Sequence, residues 1–282
     1  MALQTKDILR ILAVGDVVGV GAVDFLERRL RRLRDKLHAD LVVVNAENAA
    51  EGNGLDPQVA ERVFAAGADV ITGGNHTFQK RSIYDYFDIH PALLRPANYP
   101  ADAPGDGCVI VPVRDRRALV INISGVVFME PLENPFETVE RILARYAGAY
   151  DLALMDIHAE ATAEKLALAR YFDGRIHCIW GTHTHVQTAD EQILPQHSGY
   201  ITDLGMTGAA VSILGVESQL VIQKFRSKLP VRFRTVQDNI VLHGALFDLD
   251  AHSGAVTKVQ RVVQADENDD IPNTFDGSFA PT

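Results

Sequence analysis

The sequence is poor in cysteine and has no long hydrophobic run. Only two cysteines, Cys108 and Cys178, occur among 282 residues, and neither belongs to a CxxC pair. This scarcity disfavours a disulfide framework or a thiolate zinc site, and both thiols are predicted to lie in the core. The apolar runs, such as residues 41–44, are of strand length, whereas a membrane span requires about 18 apolar residues. The first residues also lack the pattern of a signal peptide, so we expect a cytoplasmic protein with no membrane partner.

Basic charge is scarce as well. The chain has 27 Lys and Arg against 37 Asp and Glu, a net charge of −10, which disfavours stable binding to DNA. One basic run, residues 28–36, alternates with leucines at helical spacing, so its arginines are interpreted as the solvated face of an amphipathic helix. Residues 265–282 contain five acidic residues and no basic one, and this stretch is predicted to be a disordered tail.

Apolar runs alternate with helical patterns along most of the chain. The predicted strands cover residues 8–14, 41–45, 69–73, 108–113, 118–123, 151–156 and 176–180. The predicted helices cover residues 23–37, 57–67, 135–148 and 161–172. After residue 185 the pattern predicts strands at about 192–204, 230–236, 240–247 and 256–263, with one helix near 217–227. The alternation favours a largely parallel sheet with helices on both faces, interrupted by a hairpin at 108–123, in a single α/β domain over residues 1–264.

Side chains that commonly bind metals cluster where these strands end. They come from five separate segments and are Asp16, Glu47, Asn48, Asn75, His76, His158, His183 and His185. Because the carboxyl ends of parallel strands share one edge of a sheet, the five segments are predicted to meet in one crevice.

The chemistry of these side chains favours a pair of metal ions. Carboxylate and amide oxygens with imidazole nitrogens, and no thiolate, suit iron, manganese, zinc or cobalt. Leaving His76 aside, seven ligands exceed what one catalytic metal with an open position needs. They suit two ions that share a carboxylate, an arrangement that activates water for attack on phosphorus.

Each segment taken alone has a simpler interpretation. Asp16 fits a helix N-cap, whereas Asn48 and Asn75 fit turns. His183 and His185 fit a solvated loop. Only their joint placement at strand ends favours a site.

These residues and their surroundings resemble the calcineurin-like metallophosphoesterase superfamily, in particular its YmdB-type branch of bacterial 2′,3′-cyclic nucleotide phosphodiesterases. The strings that carry the resemblance are NAENAAEGNGL at 45–55, RPAN at 95–98, HAEATAEKLAL at 158–168, GTHTHVQTAD at 181–190 and ITDLGMTG at 201–208. It extends from about residue 8 to residue 263 and implies a β-sheet sandwich flanked by helices, with the metal site at the strand carboxyl ends. The chain has no histidine two residues after Asp16, and it has Glu47 where the wider superfamily usually has Asp, which is the YmdB-type pattern.

Carried over residue by residue, the resemblance implies two divalent or mixed-valence ions, with iron and manganese favoured and zinc compatible. One ion would lie among Asp16, Glu47, Asn48 and His185, and the other among Glu47, Asn75, His158 and His183. Glu47 would bridge them, and His76 would be catalytic by protonating the leaving alkoxide or stabilising the transition state. The implied reaction is hydrolysis of a small phosphodiester, such as 2′,3′-cyclic AMP, by a metal-bridged hydroxide.

Three alternatives stay open from the sequence. The first is a phosphomonoesterase or a broader phosphodiesterase, including one that acts on cyclic phosphate ends of RNA. The second is a regulatory metal-binding protein with slow or residual phosphoesterase activity, affecting RNA turnover or cell state. The third is a mononuclear zinc hydrolase that uses only His158, His183 and His185. The exposed short strands expected after residue 190 also indicate that the chain could associate with copies of itself as a homo-oligomer.

Overall fold

A computed structural model describes residues 7–265 of the chain. Of the predicted acidic tail, 265–282, only Ala265 is described, and it ends a strand; the rest lies outside the described residues. The strands are β1 (Ile8–Val14), β2 (Asp16–Val17), β3 (Leu41–Asn45), β4 (Val70–Thr72), β5 (Cys108–Val113), β6 (Arg116–Ser124), β7 (Leu152–His158), β8 (Cys178–Thr182), β9 (Gln192–Ile193), β10 (Gly199–Ile201), β11 (Met206–Ala209), β12 (Ile240–Asp250) and β13 (Val256–Ala265). The helices are α1 (Val20–Leu37), α2 (Pro57–Ala66), α3 (Tyr84–Phe87), α4 (Pro135–Arg145), α5 (Thr162–Tyr171) and α6 (Ser218–Ser227). Within residues 7–265, no helix is both long enough and apolar enough to cross a membrane.

The strands form two mixed sheets, so the expectation of one largely parallel sheet is wrong. Over the described residues the first sheet has the order β2-β11-β12-β1-β3-β4, with β13 on β12, and the second has the order β5-β6-β7-β8-β10-β9. Each contains a parallel block, β1-β3-β4 in the first and β6-β7-β8 in the second. The alternation of strands and helices predicts parallel pairs correctly, but it carries no information about which pairs share a sheet. The predicted hairpin of β5 and β6 is confirmed.

The two sheets pack face to face, with helices on both outer faces. Alternate residues of β1 point in opposite directions, as the pleat of a strand requires. Leu9 and Ile11 join the cluster that contains Trp180 of the second sheet, whereas Leu12 joins the cluster that contains Phe25 of α1. A third cluster packs β6 and β7 against α4 and α5. The predicted sandwich flanked by helices is therefore confirmed.

Differences in detail fall where a pattern is not matched by burial. The predicted strand at 230–236 is wrong, because this stretch forms only an isolated bridge between Thr235 and Val216, flanked by two backbone hydrogen bonds. Val236 packs against the cluster that contains Phe25, but Phe233 is 48% exposed, so the apolar run has no continuous buried face. The strands β2 and β11, which pair in parallel beside the site, are too short to be recognised from periodicity.

Candidate metal centre

The eight predicted site residues lie together at one edge of the sandwich. In the first sheet, Asp16 begins β2 just after β1, Glu47 and Asn48 follow β3, and Asn75 and His76 follow β4. In the second sheet, His158 ends β7, and His183 and His185 follow β8. Because β1, β3 and β4 run parallel to one another, as do β7 and β8, each set of carboxyl ends reaches one rim. The crevice lies between two sheets rather than at the edge of one.

Ligand-type atoms crowd around the Nε2 atom of His158. This atom lies 2.9 Å from Asn75 Oδ1, 3.2 Å from Glu47 Oε1 and 3.1 Å from His183 Nδ1. One ligand atom from each of Glu47, His158 and His183 can be chosen so that all three lie within 4.8 Å of one another. Such a cluster of acceptors fits a cation at its centre.

Hydrogen bonds behind His158 determine which ring nitrogen faces this cluster. The Thr182 hydroxyl donates to Asp156 Oδ1 at 2.8 Å, so its oxygen accepts from His158 Nδ1, which lies 3.0 Å away. Thr72 Oγ1 donates to the other oxygen of Asp156 at 2.5 Å. With its proton on Nδ1, the neutral imidazole presents the lone pair of Nε2 to the site, as a metal ligand must.

The other half of the site contains buried acceptors without donors. Within the described residues, Asp16 Oδ1, Asn48 Oδ1 and His185 Nδ1 are buried and have no hydrogen-bond partner. His185 Nε2 lies 3.5 Å from Asn48 Nδ2 and 3.9 Å from Asp16 Oδ1. Unpartnered buried polar atoms are costly, so their presence fits a group that the protein alone does not supply. A metal ion is such a group for a carboxylate and an amide oxygen.

The electrostatics of the centre call for positive charge. Burial raises the pKa of Asp16, which is fully buried. Burial has the same tendency at Glu47, but the charges and hydrogen bonds of His158 and His76 outweigh it and hold the pKa of Glu47 well below its usual range. Burial lowers the pKa of His158, yet the carboxylates of Glu47, Asp16 and Asp156 outweigh it and raise that pKa to about 9. The carboxylates around His158 therefore favour a positive charge at the centre, which divalent ions would supply.

The backbone at Gly74 lies directly against the centre. A Cβ atom added there would overlap Glu47 Oε2 and His158 Nε2. Glycine lets the loop after β4 approach closely, which brings Asn75 Oδ1 to within 2.9 Å of His158 Nε2.

His76 lies beside the centre, in contact with Glu47. Its backbone N–H donates to Glu47 Oε2 at 2.9 Å, and its Nδ1 atom lies 3.2 Å from Glu47 Oε1. The side chain is 32% exposed, compared with 22% for His183, 13% for His185 and 0% for His158. It is the site imidazole most accessible from solvent.

Sequence reasoning did not single out the residues that support the ligands. Asp156 and Thr182 lie behind His158, and Asn45 Nδ2 donates to Asp156 Oδ2 at 3.2 Å while its Oδ1 accepts from the backbone of Glu47 at 3.2 Å. Asp156 could have been found, since it lies two residues before His158 in β7 and shares its face of the strand. Asn45 and Thr182 end their strands, but nothing in their surroundings in the sequence distinguishes them from ordinary strand ends.

Comparison with known proteins identifies the family. The family model for YmdB-like proteins matches residues 12–262. The chain belongs to the YmdB-like family. A Bacillus subtilis (strain 168) protein named 2′,3′-cyclic-nucleotide 2′-phosphodiesterase is 41% identical over 260 residues, which cover 92% of this chain and 98% of the relative.

Two solved structures are similar to this chain over nearly their whole length. A hypothetical protein from Thermus thermophilus has a TM-score of 0.85 and 35% identity, covering 91% of this chain and 99% of that one. A protein from Mycoplasma pneumoniae, described as a novel phosphatase, has a TM-score of 0.85 and 32% identity, covering 92% of this chain and 94% of that one. The chain has the calcineurin-like metallophosphoesterase fold, as the sequence predicts. That fold implies divalent metal ions, and the buried acceptors described above fit them.

Proposed function

We propose that this protein is a dinuclear metal-dependent phosphodiesterase that hydrolyses 2′,3′-cyclic nucleotides. Family membership and 41% identity to a 2′,3′-cyclic-nucleotide 2′-phosphodiesterase make it a phosphoric diester hydrolase. The observation that carries the finer proposal is the crowding of possible ligand atoms from both sheets. Asp16 Oδ1 and Asn48 Oδ1 have no hydrogen-bond donor among the described residues, and oxygen and nitrogen atoms of three other residues surround His158 Nε2.

Two metal ions account for these possible ligand atoms better than one ion does. The proposed ligand sets are Asp16, Glu47, Asn48 and His185 for the first ion, and Glu47, Asn75, His158 and His183 for the second. Glu47 is the proposed bridge because its Oε1 contacts both halves, 2.9 Å from Asn48 Nδ2 and 3.2 Å from His158 Nε2. A mononuclear zinc site on three histidines would leave Asp16 Oδ1 and Asn48 Oδ1 buried and without a partner among residues 7–265. The mixture of oxygen and nitrogen donors favours iron or manganese.

When bound, the two ions would supply Lewis acidity, polarising the phosphoryl oxygens and making a water acidic enough to attack at neutral pH. The attack forms a P–O bond from the water oxygen and breaks the P–O bond to the ribose 2′ or 3′ oxygen. That ribose oxygen leaves with the bonding electrons and takes up a proton. The chain's own tasks are to hold the ligand atoms in register and to deliver this proton.

His76 is the proposed proton donor. Its contacts with both oxygens of Glu47 fix the ring next to the reaction centre, and its exposure leaves it open to a substrate entering from solvent. A histidine in this position can also stabilise negative charge on the phosphoryl group in the transition state. General acid catalysis of this kind typically contributes about 10²–10⁴-fold.

The test is hydrolysis of 2′,3′-cyclic AMP by metal-stripped protein, with and without added Mn²⁺ or Fe²⁺. Bis(p-nitrophenyl) phosphate is run in parallel, and metal content is measured on the same samples. We expect turnover of both substrates only with metal, at close to two ions per chain. Cleavage of the artificial diester alone would reject the nucleotide substrate. No cleavage by protein that holds two ions would reject the enzymatic proposal and favour a regulatory role.

A further inference from the structure

A buried ion pair lies beneath the loop that carries two of the proposed ligands. Lys165 in α5 and Asp203, between β10 and β11, are both completely buried. The Nζ atom of Lys165 donates to Asp203 Oδ2 at 2.8 Å. The lysine reaches this position beside Gly181 in β8, where an added Cβ would come within 2.7 Å of Lys165 Cδ. The pair therefore sits behind the end of β8, on the protein side of the loop.

Asp203 is bonded to the backbone of that loop. Its Oδ2 atom, which accepts from Lys165, also accepts from the backbone N–H of Thr184 at 3.1 Å. Its Oδ1 atom accepts from the backbone of Gly205 at 2.8 Å. The backbone of Asp203 itself is fixed by Thr188, whose Oγ1 accepts from the Asp203 N–H at 3.0 Å. The carboxylate thus links the stretch before β11 to the residue between His183 and His185.

The loop needs such a restraint because its backbone is strained. His183 has a φ of 96° and His185 a φ of 63°. Both values lie at positive φ, where residues other than glycine are rarely found. Strained backbone of this kind persists only where its surroundings determine it. Two carboxylates do so here, since Asp16 Oδ2 accepts from the His183 N–H at 3.1 Å and Asp203 accepts from the Thr184 N–H.

We propose that the Lys165–Asp203 pair positions the metal-binding loop. Asp203 holds the backbone at Thr184 so that His183 and His185 keep the conformation that turns their imidazoles toward the site. Lys165 fixes the orientation of the Asp203 carboxylate through a buried ion pair. The proposal rests on the proposed metal centre, and it makes both residues positioning residues without contact to the substrate.

Stability alone is a weak reason for this pair. A buried ion pair often contributes no more than well-packed apolar side chains of the same volume, because both charges lose their hydration. The pair can matter more for geometry, since residues that orient metal ligands typically change metal affinity or activity by about 10–100-fold when altered. The two explanations predict different outcomes for metal binding and for the stability of the metal-free protein.

The experiment compares Asp203→Asn with wild type, using Asp248→Asn as the matched control. Asp248 pairs with Arg10 at 3.1 Å between β12 and β1, away from the loop. For each protein we would measure the apparent Kd for Mn²⁺ of the metal-stripped form, and the Tm with and without Mn²⁺. We expect Asp203→Asn to weaken Mn²⁺ binding by about 10–100-fold and to lose part of the rise in Tm that Mn²⁺ causes, whereas the control keeps both.

A second variant protects the test against misfolding. Lys165→Met combined with Asp203→Asn leaves no unpaired buried charge, so this double variant should fold even if Asp203→Asn does not. We expect it to bind Mn²⁺ more weakly than wild type as well, because the neutral amide is no longer fixed by the lysine. Wild-type Mn²⁺ affinity in either variant, with only the metal-free Tm lowered, would overturn the positioning role. Failure of wild-type protein to bind metal would instead overturn the proposed function, and the positioning role with it.

Discussion

The two sheets make different contributions to the centre. At the rim of the first sheet the proposed ligand atoms are oxygens, from the carboxylates of Asp16 and Glu47 and the amides of Asn48 and Asn75. At the rim of the second sheet they are imidazole nitrogens, from three histidines at the ends of β7 and β8. Neither rim alone offers the mixture of donors that a pair of borderline metal ions needs.

The support behind the proposed ligands differs in kind. On the imidazole side it comes from side chains, with Thr182 and Asp156 behind His158 and the Lys165–Asp203 pair behind the loop. On the oxygen side it comes from backbone N–H groups, since Glu47 Oε2 accepts from His76 and Asp16 Oδ2 accepts from His183. Both sides keep buried atoms without a hydrogen-bond partner among the described residues, namely Asp16 Oδ1, Asn48 Oδ1 and His185 Nδ1. Nitrogen ligands must present one particular atom and therefore need orientation, whereas carboxylates accept from several directions. The packing of one sheet on the other is what makes the two rims into one site.

The largest effect is expected from changing Glu47, the proposed ligand that contacts residues of both rims. Glu47→Gln keeps the shape of the side chain and removes the charge that the two proposed ions would share. We expect metal content to fall and turnover of 2′,3′-cyclic AMP to drop on the order of 10⁴-fold, since supporting residues alone cost up to about 100-fold for each ion. Metal analysis and initial rates check this together.

Glu164→Gln provides the control for that experiment. Glu164 is also a buried carboxylate, but it accepts from the backbone of Val126 and Val127 and is not one of the proposed ligands. It should lower the Tm and leave the metal content unchanged. Equal loss of metal in both variants would mean that stability, not ligation, explains the effect of Glu47→Gln.

Removing His76 should separate chemistry from metal binding. His76→Ala is expected to retain both metals and to lose about 10²–10⁴-fold in kcat, because the leaving alkoxide has no proton donor. His252→Ala, at an exposed histidine outside the site, is the matched control and should behave as wild type. Loss of metal in step with loss of turnover would reassign His76 as a ligand.

A smaller effect is expected from the support of the imidazole side. Thr182→Val removes the hydroxyl that accepts from His158 Nδ1 and donates to Asp156. Metal affinity should fall by about 10–100-fold, while kcat at saturating Mn²⁺ stays close to the wild-type value. Thr207→Val is the control, since Thr207 Oγ1 is buried without a partner among the described residues and its removal breaks no hydrogen bond. Unchanged Mn²⁺ affinity in Thr182→Val would show that His158 does not need this orientation.

Much of this architecture can be predicted from the sequence, because local patterns determine it. Strands are recognised as apolar runs. Possible metal ligands such as Glu47 and His158 stand out because they lie just after an apolar run or at its end. The division into two sheets cannot be predicted in that way. It depends on which long-range faces bury each other, such as Leu9 of β1 against the cluster of Trp180.

The residues that support the proposed ligands cannot be predicted from the sequence either, because their role depends on long-range packing. Lys165 and Glu164 are both buried on α5, in a stretch whose charges are typical of a solvated helix face. Only the packing of α5 beneath β8 reveals that Lys165 meets Asp203. A charged residue that is paired in the core has the same appearance in a sequence as one that faces solvent.

The smallest effect is expected in the helices that cover the sandwich, whose positions can be predicted from local sequence patterns. Asn134 precedes Pro135 and caps α4, with its side chain accepting from the backbone of Phe136 at 2.9 Å. Asn134→Ala should lower the free energy of unfolding by about 1 kcal/mol, measured by urea denaturation, because the cap is lost. Metal affinity and kcat should not change, since α4 packs on the outer face of the second sheet through residues such as Val139. A change in Mn²⁺ affinity would mean that the outer helices help set the distance between the two rims.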